Sequence, residues 1–304
     1  MSPPLLSIII PTHNRPHLLP RAVQSALGQT LHNIEVIVVD DGSSPPAQLA
    51  DHPKLRMIRL DPGRGGAAAR NAGTQAAQGR WVTYLDDDDC LLPTMAEVSL
   101  RALDSLSGHG PVAVLSGLQV VNERGDVLLS RIPPSRCPQG SHFFLEQLEP
   151  GCSCHTKQTL VVERDLVLKL GGWDETFRSR VHSEFFLRLN PVCTLVGLPT
   201  VTYHLLAHST ARVSGNPELR QESFRRLIQK HRRVFEAHPR MFAEFVYKHA
   251  LKSHEMGQEG AALGHFLWAL QLAPFPIAQK AGREVIHRTK GRLRRYFPVI
   301  PKPV

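Results

Sequence analysis

A chain of 304 residues, 42% of them hydrophobic and 21% charged, is long and apolar enough to bury a sizeable core, which excludes a disordered, fibrous or disulfide-stapled class. Its formal charge of +9 is concentrated late, at residues that include Arg283, Arg288, Lys290, Arg292, Arg294 and Arg295. A basic end on a core that holds an acid cluster predicts an anionic surface partner, with no nucleic acid. Five cysteines, an odd number in a long chain, predict reduced thiols and a cytoplasmic location. The start of the chain has no basic leader and no small-residue cleavage site, so no signal peptide is expected. The most apolar long stretch, 261–278, contains His265, Gln271 and two prolines and reads as an amphipathic helix, not a membrane span.

In chain order, Leu5-Leu6-Ser7-Ile8-Ile9-Ile10 is rich in branched apolar residues and predicts a central parallel strand. Pro11-Thr12-His13-Asn14-Arg15-Pro16 breaks it. Leu18, Leu19, Ala22, Val23, Ala26 and Leu27 follow at helical spacing. A second buried strand, Ile34 to Val39, ends in Asp40-Asp41-Gly42-Ser43-Ser44, and a third, Leu55 to Leu60, runs into Asp61-Pro62-Gly63-Arg64-Gly65-Gly66. A helix from Ala67 then leads to the strand Trp81 to Leu85, and that strand ends in four carboxylates, Asp86-Asp87-Asp88-Asp89. Strand and helix alternate, which predicts a doubly wound α/β sheet.

Open α/β sheets bind ligands outside the C-terminal ends of their strands. The loops Thr12 to Arg15, Asp40 to Ser43 and Asp86 to Asp89 are therefore expected on one rim. Like charges this close repel, so four adjacent acids need a cation, and a hard divalent ion suits carboxylate oxygens. The pocket so predicted takes a nucleotide whose phosphates are bridged by a metal. A rival reading rests on Gly63-Arg64-Gly65-Gly66-Ala67-Ala68, which has the Gly-x-Gly-x-x-Ala form of a dinucleotide fingerprint and would make the chain an NAD-dependent dehydrogenase. That loop follows the third strand instead of the first, and NAD has no use for four aspartates.

Ser7 to Arg15, Val38 to Ser43, Ala69-Arg70-Asn71-Ala72-Gly73, Tyr84 to Asp89 with Pro93, and Gly171-Gly172-Trp173-Asp174-Glu175 occur in this order. Together they resemble the family 2 glycosyltransferases, inverting enzymes of the GT-A fold, from about Ser7 to about Ser209. The resemblance implies a Rossmann-like, doubly wound mixed sheet with a C-terminal helical extension. It implies a nucleotide-diphosphate sugar donor, UDP-sugar favoured, a glycan or glycolipid acceptor, and Mg²⁺ or Mn²⁺. Carried over by position, Pro11, Thr12, Asn14, Arg15, Asp41, Arg70, Asn71, Asp86 and Asp87 belong to the nucleotide. Asp88 belongs to the metal, with His208 a second candidate, and Asp89 orients its neighbours. Trp173, Asp174 and Glu175 belong to the acceptor side, Trp173 as a sugar platform or a core aromatic.

The chain departs from the family at the base. Counting back from Arg188-Leu189 puts Val181-His182 where Glu-Asp is expected. Three readings stay open: His182 is the general base, Glu184 replaces it, or neither acts and the protein binds a nucleotide sugar without turnover. Cys152-Ser153-Cys154-His155 is either half a zinc site or a loop of reduced thiols. From about Pro217 the pattern becomes helical, so residues 1–215 are expected to form the GT-A domain and 216–304 a helical extension. Its end, 283–297, mixes cations with Tyr296 and Phe297 and predicts a peripheral contact with anionic lipid on the inner face of the plasma membrane.

Overall fold

The computed structural model describes residues 3–108, 110–207 and 215–283. The chain divides into two compact units, Met1–Leu227 and Ile228–Val304.

Among the described residues the first unit is built on ten strands: β1 (Leu6–Thr12), β2 (Ile34–Asp41), β3 (Leu55–Leu60), β4 (Trp81–Tyr84), β5 (Cys90–Leu91), β6 (Val112–Val121), β7 (Val127–Arg131), β8 (Arg136–Cys137), β9 (Val161–Glu163) and β10 (Thr194–Leu206). They form one sheet in the order β3-β2-β1-β4-β9-β6-β10-β5, with β7 on β6 and β8 on β10. Strands β3, β2, β1 and β4 are parallel, with Ile10 opposite Val38 and Ile9 opposite Tyr84. Strand β9 runs antiparallel to both β4 and β6, which makes the sheet mixed.

Alternation along β1 decides what lies on each face, because successive side chains of a strand point to opposite sides. Ile8 and Ile10 pack with Leu19, Ala22 and Val23 of α1 (Leu19–Leu27) and with Met95 and Leu100 of α3 (Met95–Ser105). Ile9 faces the other way, towards Ala67 and Ala69 of α2 (Gly66–Ala76), Val167 of α4 (Arg164–Lys169) and Phe185 of α5 (Val181–Leu189). Helix α2 lies so close to the sheet that a Cβ on Gly73 would sit 2.4 Å from Ile9 Cγ2. Ala or anything larger would push this helix, and the residues it carries, off the sheet.

Helix α6 (Pro217–Lys230) begins in the first unit and ends in the second. Its first part is tied to the segment before α5: Ser179 N–H donates to Ser223 Oγ at 3.2 Å, and the Arg180 guanidinium lies 5.2 Å from the Phe224 ring. The second unit continues with α7 (Arg232–Ala237), α8 (Pro239–Glu255) and α9 (Glu259–Leu272). Helices α8 and α9 form an antiparallel pair around Phe235, Phe242, Val246 and Ala269, with Phe242 edge-on to Trp268 at 5.3 Å. Among the described residues no helix is long and apolar enough to cross a membrane.

Candidate active site

Three strand ends meet at the C-terminal rim of the parallel strands. Thr12, the last residue of β1, donates from Oγ1 to Asp87 Oδ2 at 2.7 Å. Arg15 reaches across from the same loop and donates to Asp87 Oδ1 at 2.8 Å and Asp88 Oδ2 at 3.0 Å. The loop is pinned to the end of β2, since Asn14 N–H donates to Ser43 Oγ at 2.9 Å and Ser44 N–H donates to Asn14 Oδ1 at 2.8 Å. Asn14 adopts φ 54°, a left-handed conformation that asparagine tolerates better than most side chains. Pro11 stays in the ladder, opposite Val39.

Each carboxylate of the acid run has its own surroundings. Asp86, half-buried, pairs with the buried guanidinium of Arg70 on α2. Asp87 is buried, and that burial raises its pKa although Arg15 and Thr12 pull the other way. Burial alone would lower the Arg15 pKa, but the charges of Asp87 and Asp88 outweigh it and raise it. Asp89 is tied to β10, accepting from Tyr203 Oη at 2.8 Å and from Leu206 N–H at 2.9 Å. It fixes the acid loop to β10. Burial and the Asp89 charge push the Tyr203 phenol well above its ordinary value, so it stays a donor. Sequence reasoning missed Tyr203, 114 residues from its partner.

The carboxylate oxygens of Asp86, Asp88 and Asp89 lie within 4.8 Å of one another. Such a set of hard oxygens fits a divalent cation. His208 lies outside the described residues. Neither Cys152 nor Cys154 joins a group of metal-ligating atoms among the described residues, and all five cysteines are free thiols.

The two acids that end β2 organise loops. Burial alone would raise the Asp40 pKa, but hydrogen bonds from Ser43, Ala47 and Arg59 outweigh it and hold the carboxyl below its usual range. Asp41 accepts from the backbone N–H groups of Arg64 and Gly65, at 2.6 and 2.7 Å. The glycines allow this grip: a Cβ on Gly63 would lie 2.3 Å from Asp41 O, and Gly65 has φ 100°. These are the amides that a dinucleotide fingerprint presents to a pyrophosphate, and here a carboxylate occupies them. The dehydrogenase reading is thereby corrected.

Asn71 brackets the segment after α4. Its Nδ2 donates to Trp173 O at 2.9 Å and to Glu175 Oε1 at 3.0 Å, and its Oδ1 accepts from Trp173 N–H at 2.7 Å. Glu175 also binds Arg64 at 2.6 Å, while Asp174 accepts from the Thr176 hydroxyl and N–H. Trp173 is 2% exposed and stacks on Phe185 at 4.4 Å, with Tyr84 edge-on at 4.8 Å. Of its two open readings, the structure favours core aromatic over sugar platform. Its ring also meets Arg70 at 5.4 Å and His182 at 5.1 Å.

His182 lies in the first turn of α5. Burial, the Arg70 charge and, more weakly, Lys157 push its pKa down to about 3 against the pull of Asp86, so the imidazole is neutral at working pH. Glu184 is fully buried and grips Arg188 of the next turn at 2.6 and 2.8 Å. Its carboxylate braces α5 against Leu170 and Gly172, whose carbonyls Arg188 also holds, and does not reach outward as a base would.

Residues 7–126 match the sequence model described as glycosyl transferase family 2. That stretch of the chain is similar to the family. It is 29% identical over 188 residues to an uncharacterized glycosyltransferase of Haemophilus influenzae, covering 61% of this chain and 62% of that protein. It is 36% identical over 142 residues to the succinoglycan biosynthesis protein ExoO of Rhizobium meliloti, covering 45% and 40%. It is 38% identical over 112 residues to the putative colanic acid biosynthesis glycosyl transferase WcaA of Escherichia coli, covering 35% and 40%. The chain thus spans less than two thirds of the length of each of these curated relatives. Among solved structures, Staphylococcus aureus TarS 1–349 in complex with UDP-GlcNAc superposes with a TM-score of 0.59 at 17% identity, over 90% of this chain and 82% of that one. That likeness shows the GT-A fold expected from sequence, with its mixed central sheet.

Proposed function

We propose that this protein is an inverting glycosyltransferase that moves a sugar from a nucleoside-diphosphate donor, UDP-sugar favoured, to a hydroxyl of a glycan or glycolipid. The observation that carries this reading is the convergence of Thr12, Arg15 and the acid run at one rim of the family fold. Support comes from the binding of UDP-GlcNAc and UDP by the TarS structures and from the succinoglycan and colanic acid biosynthesis named for ExoO and WcaA. Arg70 adds to it: its Nε is buried with no acceptor among the described residues, as suits a site that receives ligand oxygens.

In the proposed reaction the acceptor oxygen attacks the anomeric carbon from the face opposite the diphosphate. The carbon–oxygen bond to the diphosphate breaks with its electron pair, and the hydroxyl proton passes to a base. Arg15 and Arg70 place positive charge on the donor side, where negative charge develops. Asp88, with Asp86 beside it, would hold Mg²⁺ or Mn²⁺, which when bound supplies Lewis-acid charge to the departing diphosphate. His182 is the base in this reading. It is already neutral, and an arriving diphosphate adds negative charge that raises its proton affinity. The protein works at the cytoplasmic face, with 283–297 as a peripheral contact to anionic membrane.

One observation favours a second reading, a nucleotide-sugar-binding protein without turnover: a histidine pushed to about 3 is a weak base. Donor consumption in the presence of Mn²⁺ separates the two. Transfer or donor hydrolysis supports the enzyme, and tight donor binding with neither supports the binding module. In the enzyme, His182→Ala lowers turnover by about 100-fold or more while nucleotide binding persists. Unchanged turnover removes His182 from the mechanism.

A further inference from the structure

Helix α9 is apolar on more than the side it buries. Against α8 it packs Ala262 and Ala269, with His265 4.8 Å from His249 and Trp268 meeting Phe242. Leu263 and Leu267, one turn apart, are nevertheless 61% and 51% exposed, and Leu270 continues their stripe half-buried. Phe275, just past the end of the helix, is 86% exposed. A single exposed leucine is ordinary on a protein surface, but an aligned set with a phenylalanine beside it marks a contact surface. The stretch from Gly260 to Gln279 contains no Asp, Glu, Lys or Arg.

Charge begins where that stretch ends. Between Lys280 and Val304 the sequence has eight Lys and Arg residues against one acid, Glu284. An apolar helix face followed directly by a cationic segment matches the two halves of an anionic lipid surface: an acyl boundary that accepts leucine and phenylalanine, and headgroups that attract cations. A second copy of this chain is a poorer fit, because a symmetric contact through α9 would bring two cationic segments together.

We infer that the stripe Leu263, Leu267 and Leu270, with Phe275, is a docking face that enters the headgroup boundary of an anionic membrane. This face gives the basic end a hydrophobic anchor that charge alone does not supply. It requires neither donor nor acceptor, so it stands or falls apart from the transfer reading.

The test is co-sedimentation of the full chain with vesicles of phosphatidylcholine alone and with vesicles rich in phosphatidylglycerol. Binding is expected only to the anionic vesicles. Leu263→Ser combined with Leu267→Ser should weaken it about tenfold or more, with the thermal midpoint and nucleotide binding preserved. Phe275→Ala, outside α9 and almost fully exposed, weakens it in the same direction without touching the α8–α9 packing. The inference is overturned if these variants partition like the parent chain. It is equally overturned if the parent does not bind anionic vesicles, or if it is a dimer that the α9 substitutions convert to monomer.

Discussion

The rim before residue 90 and the segment after residue 171 treat polar groups in opposite ways. At the rim, each acid has a partner chosen from the local loops: Asp87 has Thr12 and Arg15, Asp86 has Arg70, Asp40 has Arg59. The later segment sets its candidate base against Trp173 and within the field of two cations, where protonation is disfavoured. The rim is organised to hold charge, and the surroundings of His182 to refuse a proton. In the proposed reaction, a site divided this way would stabilise a departing diphosphate on one side and keep an uncharged nitrogen on the other.

The largest effect should come from breaking the rim. Asp88→Asn is expected to cut transfer by about 100-fold or more, since charge stabilisation at a leaving group accounts for effects of that size. The loss should come with little change in thermal midpoint, because Arg15 keeps its second carboxylate partner, Asp87. Steady-state kinetics with Mn²⁺ checks this, and a fully active variant would remove Asp88 from the site.

A smaller effect tests how the two regions are joined. Asn71→Ala removes three hydrogen bonds that hold Trp173 and Glu175, two of them to backbone groups, and should cost about 1–3 kcal/mol of stability. Glu175→Gln touches an exposed ion pair with Arg64 and should cost about 1 kcal/mol or less. Denaturant unfolding of both variants checks the order, and a reversal would show that the segment is held elsewhere.

The smallest effect lies in the pH profile. His182 has a folded-state pKa of about 3 against an ordinary 6.5, so the unfolded chain binds the extra proton between those values. Its contribution to stability is complete above about pH 6.5 and is lost progressively as pH falls towards 3. His182→Gln should flatten the thermal midpoint over that acid window and leave it unchanged above it. A variant whose midpoint falls with acid as steeply as the parent would show that His182 is not held neutral.

How much of this was legible in sequence follows from how local each feature is. Strands β1, β2 and β4 are short branched apolar runs, each closed by turn formers or acids, so both they and the shared rim were readable. Dividing the acid run was harder. Asp89 is tied to β10 by Tyr203 and Leu206, which no spacing near residue 89 announces. Asn71 lies in a readable motif, yet its partners are more than 100 residues away. Trp173 reads equally as platform or core until Phe185 is seen against its face. Nothing in the Asp41 loop itself shows that Arg64 and Gly65 turn their amides onto it. The antiparallel insertion of β9 between β4 and β6 is invisible for the same reason: pairing partners in a sheet carry no local signature.

Arg15 has a consequence beyond its place at the rim. By bonding Asp87 and Asp88 together it already neutralises part of the charge that a divalent ion would neutralise. In the proposed reading, loading a metal at Asp88 would be an exchange and not a simple addition, because the ion would share or displace a resident guanidinium. The apparent metal affinity then includes the work of moving that guanidinium, and a donor diphosphate that offers Arg15 a new anion lowers it. Metal and donor would bind better together than either does alone.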